Sequence, residues 1–147
     1  MTDEGNKATD VHDIMLKLDA DNDPLLFILL ASDGSINRIG SGTLKDKNRD
    51  MFIGKSDPAI FARVLPYLTE EILWGLGKVF SHKSIQGMPC KLTIMLRFND
   101  GTSGGSEYHY GSESESPPRD VVYLVTAAVR ETEGWYQEQL RMVSSGG

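Results

Sequence analysis

One arrangement of residues occurs twice in this chain, and it restricts the fold more than any other feature. The apolar run Leu25 to Ala31 leads into Asp33-Gly34-Ser35, passes through Phe52-Ile53-Gly54 and reaches Ser56-Asp57-Pro58. The run Leu92 to Phe98 leads into Asp100-Gly101-Thr102, passes through His109-Tyr110-Gly111 and reaches Ser116-Pro117-Pro118. Each half reads as a β-hairpin closed by an Asp-Gly turn, followed by a glycine exit and a proline-started helix. Glycine supplies the positive φ that tight hairpin turns need, and proline's fixed φ suits the first helical position. Two tandem hairpin-plus-helices halves, 25–80 and 90–143, are the expectation.

A chain of 147 residues suits one domain, 1–147, with the polar ends 1–8 and 144–147 expected to be flexible. Its hydrophobic content of 39% and charged content of 24% are those of a globular chain, not a disordered or membrane one. No apolar run approaches the roughly 18 residues of a spanning helix. Met1-Thr2-Asp3-Glu4 lacks the basic-then-apolar order of a secretion signal. With a single cysteine, Cys90, there is no disulfide framework, so the expected location is cytoplasmic. A formal net charge of −6 without a basic cluster argues against nucleic acid as a partner.

Val11, Ile14, Met15 and Leu18 fall at helical spacing, which predicts an amphipathic N-terminal helix from Thr9 to Leu18. Leu25 to Ala31 is apolar at both alternating sets of positions and reads as a central strand covered on both faces, the second cover coming from that helix or from a second subunit. Asp57 or Ser56 and Pro58 should open a helix that Pro66 kinks or ends. Thr69, with Glu70 and Glu71 behind it, should cap another helix with Ile72, Leu73, Leu76, Val79 and Phe80 on its core face. Ser116 should cap a helix that Gly134 breaks, before a short terminal helix carrying Leu140, Met142 and Val143. The sum is an α+β domain with a mostly antiparallel sheet.

Several segments mimic functional motifs and fail on context. Asp19, Asp21 and Asp23 match the first ligands of a calcium loop. Pro24 and Leu30, however, stand where the turn glycine and the bidentate glutamate belong. Gly40-Ser41-Gly42-Thr43 opens into a charged loop, Thr43 to Asp50, and not into a helix as a phosphate cradle would. Gly104-Gly105 reads as turn material, and Ser112 to Ser116 as a solvated acidic loop. His12, His82 and His109 lack zinc spacing, so neither a metal nor another cofactor is expected. Cys90 has no sequence neighbour to activate it and reads as a small apolar residue.

Strand alternation puts Glu107 and His109 on one face with Thr93 and Arg97, a constellation of acid-base and ligand-binding types on the outer side of the second hairpin. Trp74, Trp135 and Tyr136 are the aromatic candidates for a protein interface. No nucleophile-base set or cofactor fingerprint survives inspection. The expected function is a non-catalytic cytosolic protein-interaction module of the adaptor, inhibitor or toxin-neutralising kind, acting as monomer or homodimer. The alternative is a small-molecule-binding protein or hydrolase using the Arg97, Glu107 and His109 face or the cleft between the two halves.

Overall fold

The computed structural model describes residues 7–42, 50–81, 85–113 and 117–146. Thr43 to Arg49 of the charged loop, His82, and Ser114 to Ser116 with the expected helix cap lie outside the described residues. The chain is α+β. Among the described residues seven strands, β1 (Val11–Ala20), β2 (Asp23–Ala31), β3 (Ser35–Ile39), β4 (Met51–Lys55), β5 (Val79–Ser81), β6 (Pro89–Phe98) and β7 (Ser103–Gly111), form one sheet. Three helices, α1 (Pro58–Val64), α2 (Glu70–Trp74) and α3 (Arg119–Gly146), accompany it. The strand order is β4-β3-β2-β1-β6-β7-β5. All neighbours are antiparallel except β5 and β7.

Both Asp-Gly hairpins form, with Gly34 at φ +95° and Gly101 at φ +90°. Their surroundings differ, and a tandem repeat does not emerge. The hairpins flank β1 on opposite sides. The first continues into β4 and two short helices, whereas the second leads to a single helix of 28 residues.

The expected N-terminal helix is instead β1, the middle strand of the sheet. A bulge causes the misreading. The register of β1 against β6 shifts between Val11 and Asp13, so two residues of one strand oppose one of the other. That shift turns Val11 and Ile14 to the same buried side at a separation of three, imitating helical spacing. From Ile14 onwards, Ile14 and Leu16 are buried while Met15 and Lys17 are only partly so, which is the alternation of a strand. Asp21 (φ +50°) and Asn22 (φ +66°) form the two-residue hairpin between β1 and β2, a turn that needs left-handed backbone at both positions. The calcium-like aspartates therefore belong to a hairpin, with Ala20 paired to Asp23.

All helices lie on one side of the sheet. Their apolar residues Phe61, Val64, Ile72, Val121, Leu124 and Ala128 meet Ile14, Leu16, Ile28, Leu30, Ile36, Ile94 and Leu96 in a single core. The caps fall where expected. Asp57 accepts a 2.9 Å hydrogen bond from the Ala59 amide, with Pro58 in first position. The Thr69 hydroxyl caps α2 and donates to Asp120 Oδ2 at 2.7 Å, tying the starts of α2 and α3 together. Pro66 ends α1 in a 3-10 turn at Leu65–Tyr67.

Two helix boundaries move. The second helix ends at Trp74, and Val79 and Phe80 belong to β5, not to its core face. Gly134 does not break α3, because a mid-helix glycine costs only about 1 kcal/mol and the residues around it are anchored. Thr132 donates to the Ala128 carbonyl at 2.7 Å, and Tyr136 is buried. The deepest polar anchor is Arg38 on β3, 0% exposed beneath α3. It donates to the Gly40 carbonyl (3.1 Å), Thr132 Oγ1 (2.9 Å) and Glu133 Oε1 (2.9 Å).

Candidate functional site

Among the described residues, the side of the sheet turned away from the helices carries no secondary structure over it. Cross-strand register defines two rows along it. One runs Ile53, Asn37, Leu29, Met15, Met95, Gly105 from β4 to β7; the other runs Met51, Ile39, Phe27, Lys17, Thr93, Glu107. Met51, Ile53 and Met95 are exposed, and Phe27, Leu29, Met15 and Ile39 are half-buried, shielded by one another. The apolar run Leu25 to Ala31 is thus covered by helices on one face only. Among the described residues the expected second cover within the chain is absent, because residues 11–20 lie beside β2 as a strand, not across it.

The ligand-binding candidates share this helix-free face but do not converge. Thr93 lies opposite Glu107, and His109 Nε2 is 3.0 Å from Glu107 Oε1. Arg97 stands further along β6, opposite Ser103 and Asp13. There its Nε and Nη2 both lie 2.9 Å from Asp13 Oδ2. Asp13 was not singled out by sequence reasoning, because the helical reading of residues 9–18 placed it away from β6. His109 also edges a small hollow of about 270 Å³ with Asp19, Asp21, Cys90 and Lys91. Burial raises the Cys90 thiol's pKa, which suppresses the reactive thiolate. Burial likewise pushes the Tyr110 phenol up to about 12, holding it neutral. Among the described residues no group of three His, Cys, Asp or Glu is placed to hold a metal ion.

The aromatic candidates separate by exposure. Tyr136 is buried in the core under Arg38, with the guanidinium carbon 4.2 Å from its ring centre. Trp135 packs on the β4 backbone at Gly54, where an added Cβ would come within 3.1 Å of its ring. Tyr136 is thus enclosed, and Trp135 is half-buried. Trp74 is 71% exposed and stands at the lip of a cavity of about 800 Å³. Leu68, Leu73, Leu76 and Phe98 supply its apolar wall, and Lys7 and Glu70 add opposite charges to its lining. This cavity occupies the junction between the first half's short helices and the second hairpin. Gly104, expected in a turn, is a strand residue there, with Leu76 against its backbone.

Among the described residues no helix is long and apolar enough to cross a membrane. No protein-family model matches the chain, and no curated protein or solved structure matches it either.

Proposed function

We propose that this chain is a non-catalytic, cytosolic protein-interaction module of the adaptor, inhibitor or toxin-neutralising kind, with the helix-free sheet face as its docking surface. One observation carries the reading: Ile53 of β4, Leu29 of β2, Met15 of β1 and Met95 of β6 share one row of the helix-free face, broken by Asn37 of β3, and among the described residues no helix lies over them. Contiguous exposed apolar surface on a folded domain marks an interaction site more often than chance exposure. A small ligand needs a concave pocket, whereas a row of side chains spread over several strands presents the extended contact that a protein surface can use. The Asp13–Arg97 and Glu107–His109 pairs at its margin would contribute orientation and partner choice more than affinity.

The test is a photo-crosslinking amino acid placed at Met95 in the native host. A discrete adduct with a different protein is expected, and Met15→Glu on the adjacent strand should abolish it. The same crosslinker at Thr126, on the exposed side of α3, should give none. Absence of an adduct at Met95 would overturn the reading.

The rival reading, a small-molecule-binding protein, has one feature in its favour. A cavity of about 800 Å³ falls within the roughly 300 to 1,000 Å³ of ligand pockets and has the expected apolar wall with few polar groups.

A further inference from the structure

Strand β4 is an outer edge of the sheet, and the hydrogen-bond parity shows which of its groups are left over. Ile36 pairs with Gly54 and Arg38 with Phe52, and the ladder extends to Ser56, whose amide donates to the Gly34 carbonyl at 2.7 Å. In an antiparallel ladder only alternate residues bond to a given neighbour. Even-numbered residues therefore serve β3, and Met51, Ile53 and Lys55 direct their N–H and C=O groups away from the sheet. None of the described residues pairs with that edge. Natural edge strands are usually blunted by charge, proline or a cover. Here the middle of the edge is Ile53, 70% exposed.

The course of α3 supplies a second observation. Val121, near its start, borders the same hollow as Tyr108 of β7. Thr132 and Glu133 bond to Arg38 of β3, while Trp135 and Tyr136 meet Gly54 and Phe52 of β4. The helix thus crosses the sheet from β7 to β4, and residues 137–146 remain after the edge strand has been reached. At 1.5 Å per residue that is about 15 Å of helix, or about three strand spacings. Met142 and Val143 on this overhang are exposed.

We propose that a second copy of this chain occupies this edge: β4 pairs antiparallel with the partner's β4 about a two-fold axis at Ile53, and each α3 overhang packs beside the other copy's α3, which already lies over its own Phe52 and Gly54. The direction follows from the helices: a two-fold axis perpendicular to the sheet pairs the strands antiparallel and keeps both α3 helices on one side of the joined sheet, whereas a two-fold axis along the strands would pair them parallel and put the helices on opposite sides. The register follows from the outward groups, which place Met51 opposite the partner's Lys55 and Ile53 opposite Ile53, with about six backbone hydrogen bonds. The contact is isologous and closes on itself. A five-residue edge alone falls short of the roughly 1,000 Å² of a stable interface; the helix overhangs add the apolar remainder. The result is a continuous sheet across both copies, in which Ile53 also ends the helix-free row, so Met95 rather than Ile53 separates dimerisation from docking on that face.

Sedimentation equilibrium on the full chain, from micromolar to millimolar concentration, should show reversible dimerisation. Ile53→Lys and, separately, Met142→Glu should each weaken it at least tenfold without altering the far-UV spectrum, and Met95→Lys on the helix-free face should leave it unchanged. In a Cys90→Ser background, Ile53→Cys should oxidise to a covalent dimer, because hydrogen-bonded antiparallel pairs set Cα atoms about 5.5 Å apart, within disulfide range. A monomer throughout, a dimer indifferent to Ile53→Lys, or a dimer that Ile53→Cys fails to cross-link would each overturn the proposal.

Discussion

The guanidinium of Arg38 and the ring of Tyr136 stack at 4.2 Å inside the core, joining the third strand to the long helix. A buried charge is stable only while its hydrogen bonds are met. Here Gly40, Thr132 and Glu133 meet them. Arg38→Ala should cost about 3 to 5 kcal/mol in urea denaturation, through both the cavity and the lost clamp. Arg38→Met keeps the volume and sheds the charge, and it should recover at least half of that loss. If the two variants are equally unstable, the charge rather than the packing is what the core requires.

The two sides of β1 should respond unequally to truncation. Leu16, fully buried beneath the helices, should lose about 2 to 5 kcal/mol on substitution by alanine. Its neighbour Met15, on the helix-free face, should lose less than about 1.5 kcal/mol. Denaturant midpoints of the two variants check this. Near-equal losses would mean that the helix-free face is covered in solution.

Both hairpin glycines hold positive φ, but only one is crowded. A Cβ on Gly34 would collide with the Ser56 carbonyl, whereas one on Gly101 meets nothing within 4 Å. Gly101→Ala should cost about 1 to 2 kcal/mol from backbone strain alone, and Gly34→Ala clearly more. Thermal melts of the pair would order them.

The turn aspartates make acid stability a local property. Asp33 accepts the Ser35 amide and Asp100 the Thr102 amide, each at 2.9 Å. The Ser35 backbone bond leads in drawing the Asp33 carboxyl down to about 2, and the Thr102 hydroxyl bond leads in lowering Asp100. A lowered folded-state pKa binds fewer protons than the unfolded chain, so the contribution is complete above about pH 4 and disappears as pH falls towards 2. Carboxyl-carbon NMR titration should place the Asp33 midpoint near 2. At the alkaline end the sign is reversed in direction: Tyr110, raised by burial to about 12, contributes stability that is present below about pH 10 and lost between 10 and 12.

Trp74 should report on the cavity beside it. Trp74→Ala, at an exposed position, should change stability by no more than about 0.5 kcal/mol. If the cavity takes small apolar molecules, 1-anilinonaphthalene-8-sulfonate should bind with one-to-one stoichiometry and at least fivefold more weakly to the variant. Unaltered dye binding would remove the cavity as a ligand site.

What was legible in the sequence was whatever local chemistry controls. The Asp-Gly hairpins, the Asp57-Pro58 and Thr69 helix starts and the stop at Pro66 could be placed because positive φ, a missing N–H and an unsatisfied first turn are properties of a few adjacent residues. The face assignments of Glu107, His109 and Thr93 followed from the two-residue period of a strand. Their grouping with Arg97 did not survive, because separation along a strand and a competing carboxylate, Asp13, come from residues far apart in sequence.

The amino-acid sequence alone thus determined the two Asp-Gly turns, the Asp57 and Thr69 caps, the existence of the second hairpin and the mixed α and β character. Tertiary structure decided that residues 11–20 are the central strand, since β2 and β6 offer hydrogen bonds on both sides and a bulge at His12 reconciles the apolar spacing with a sheet. It decided that Gly134 stays helical, because Arg38, Thr132 and Tyr136 grip the helix around it. It also decided which apolar residues remain uncovered, since a hydrophobic pattern says that a surface must be buried, and only the arrangement of neighbours says against what.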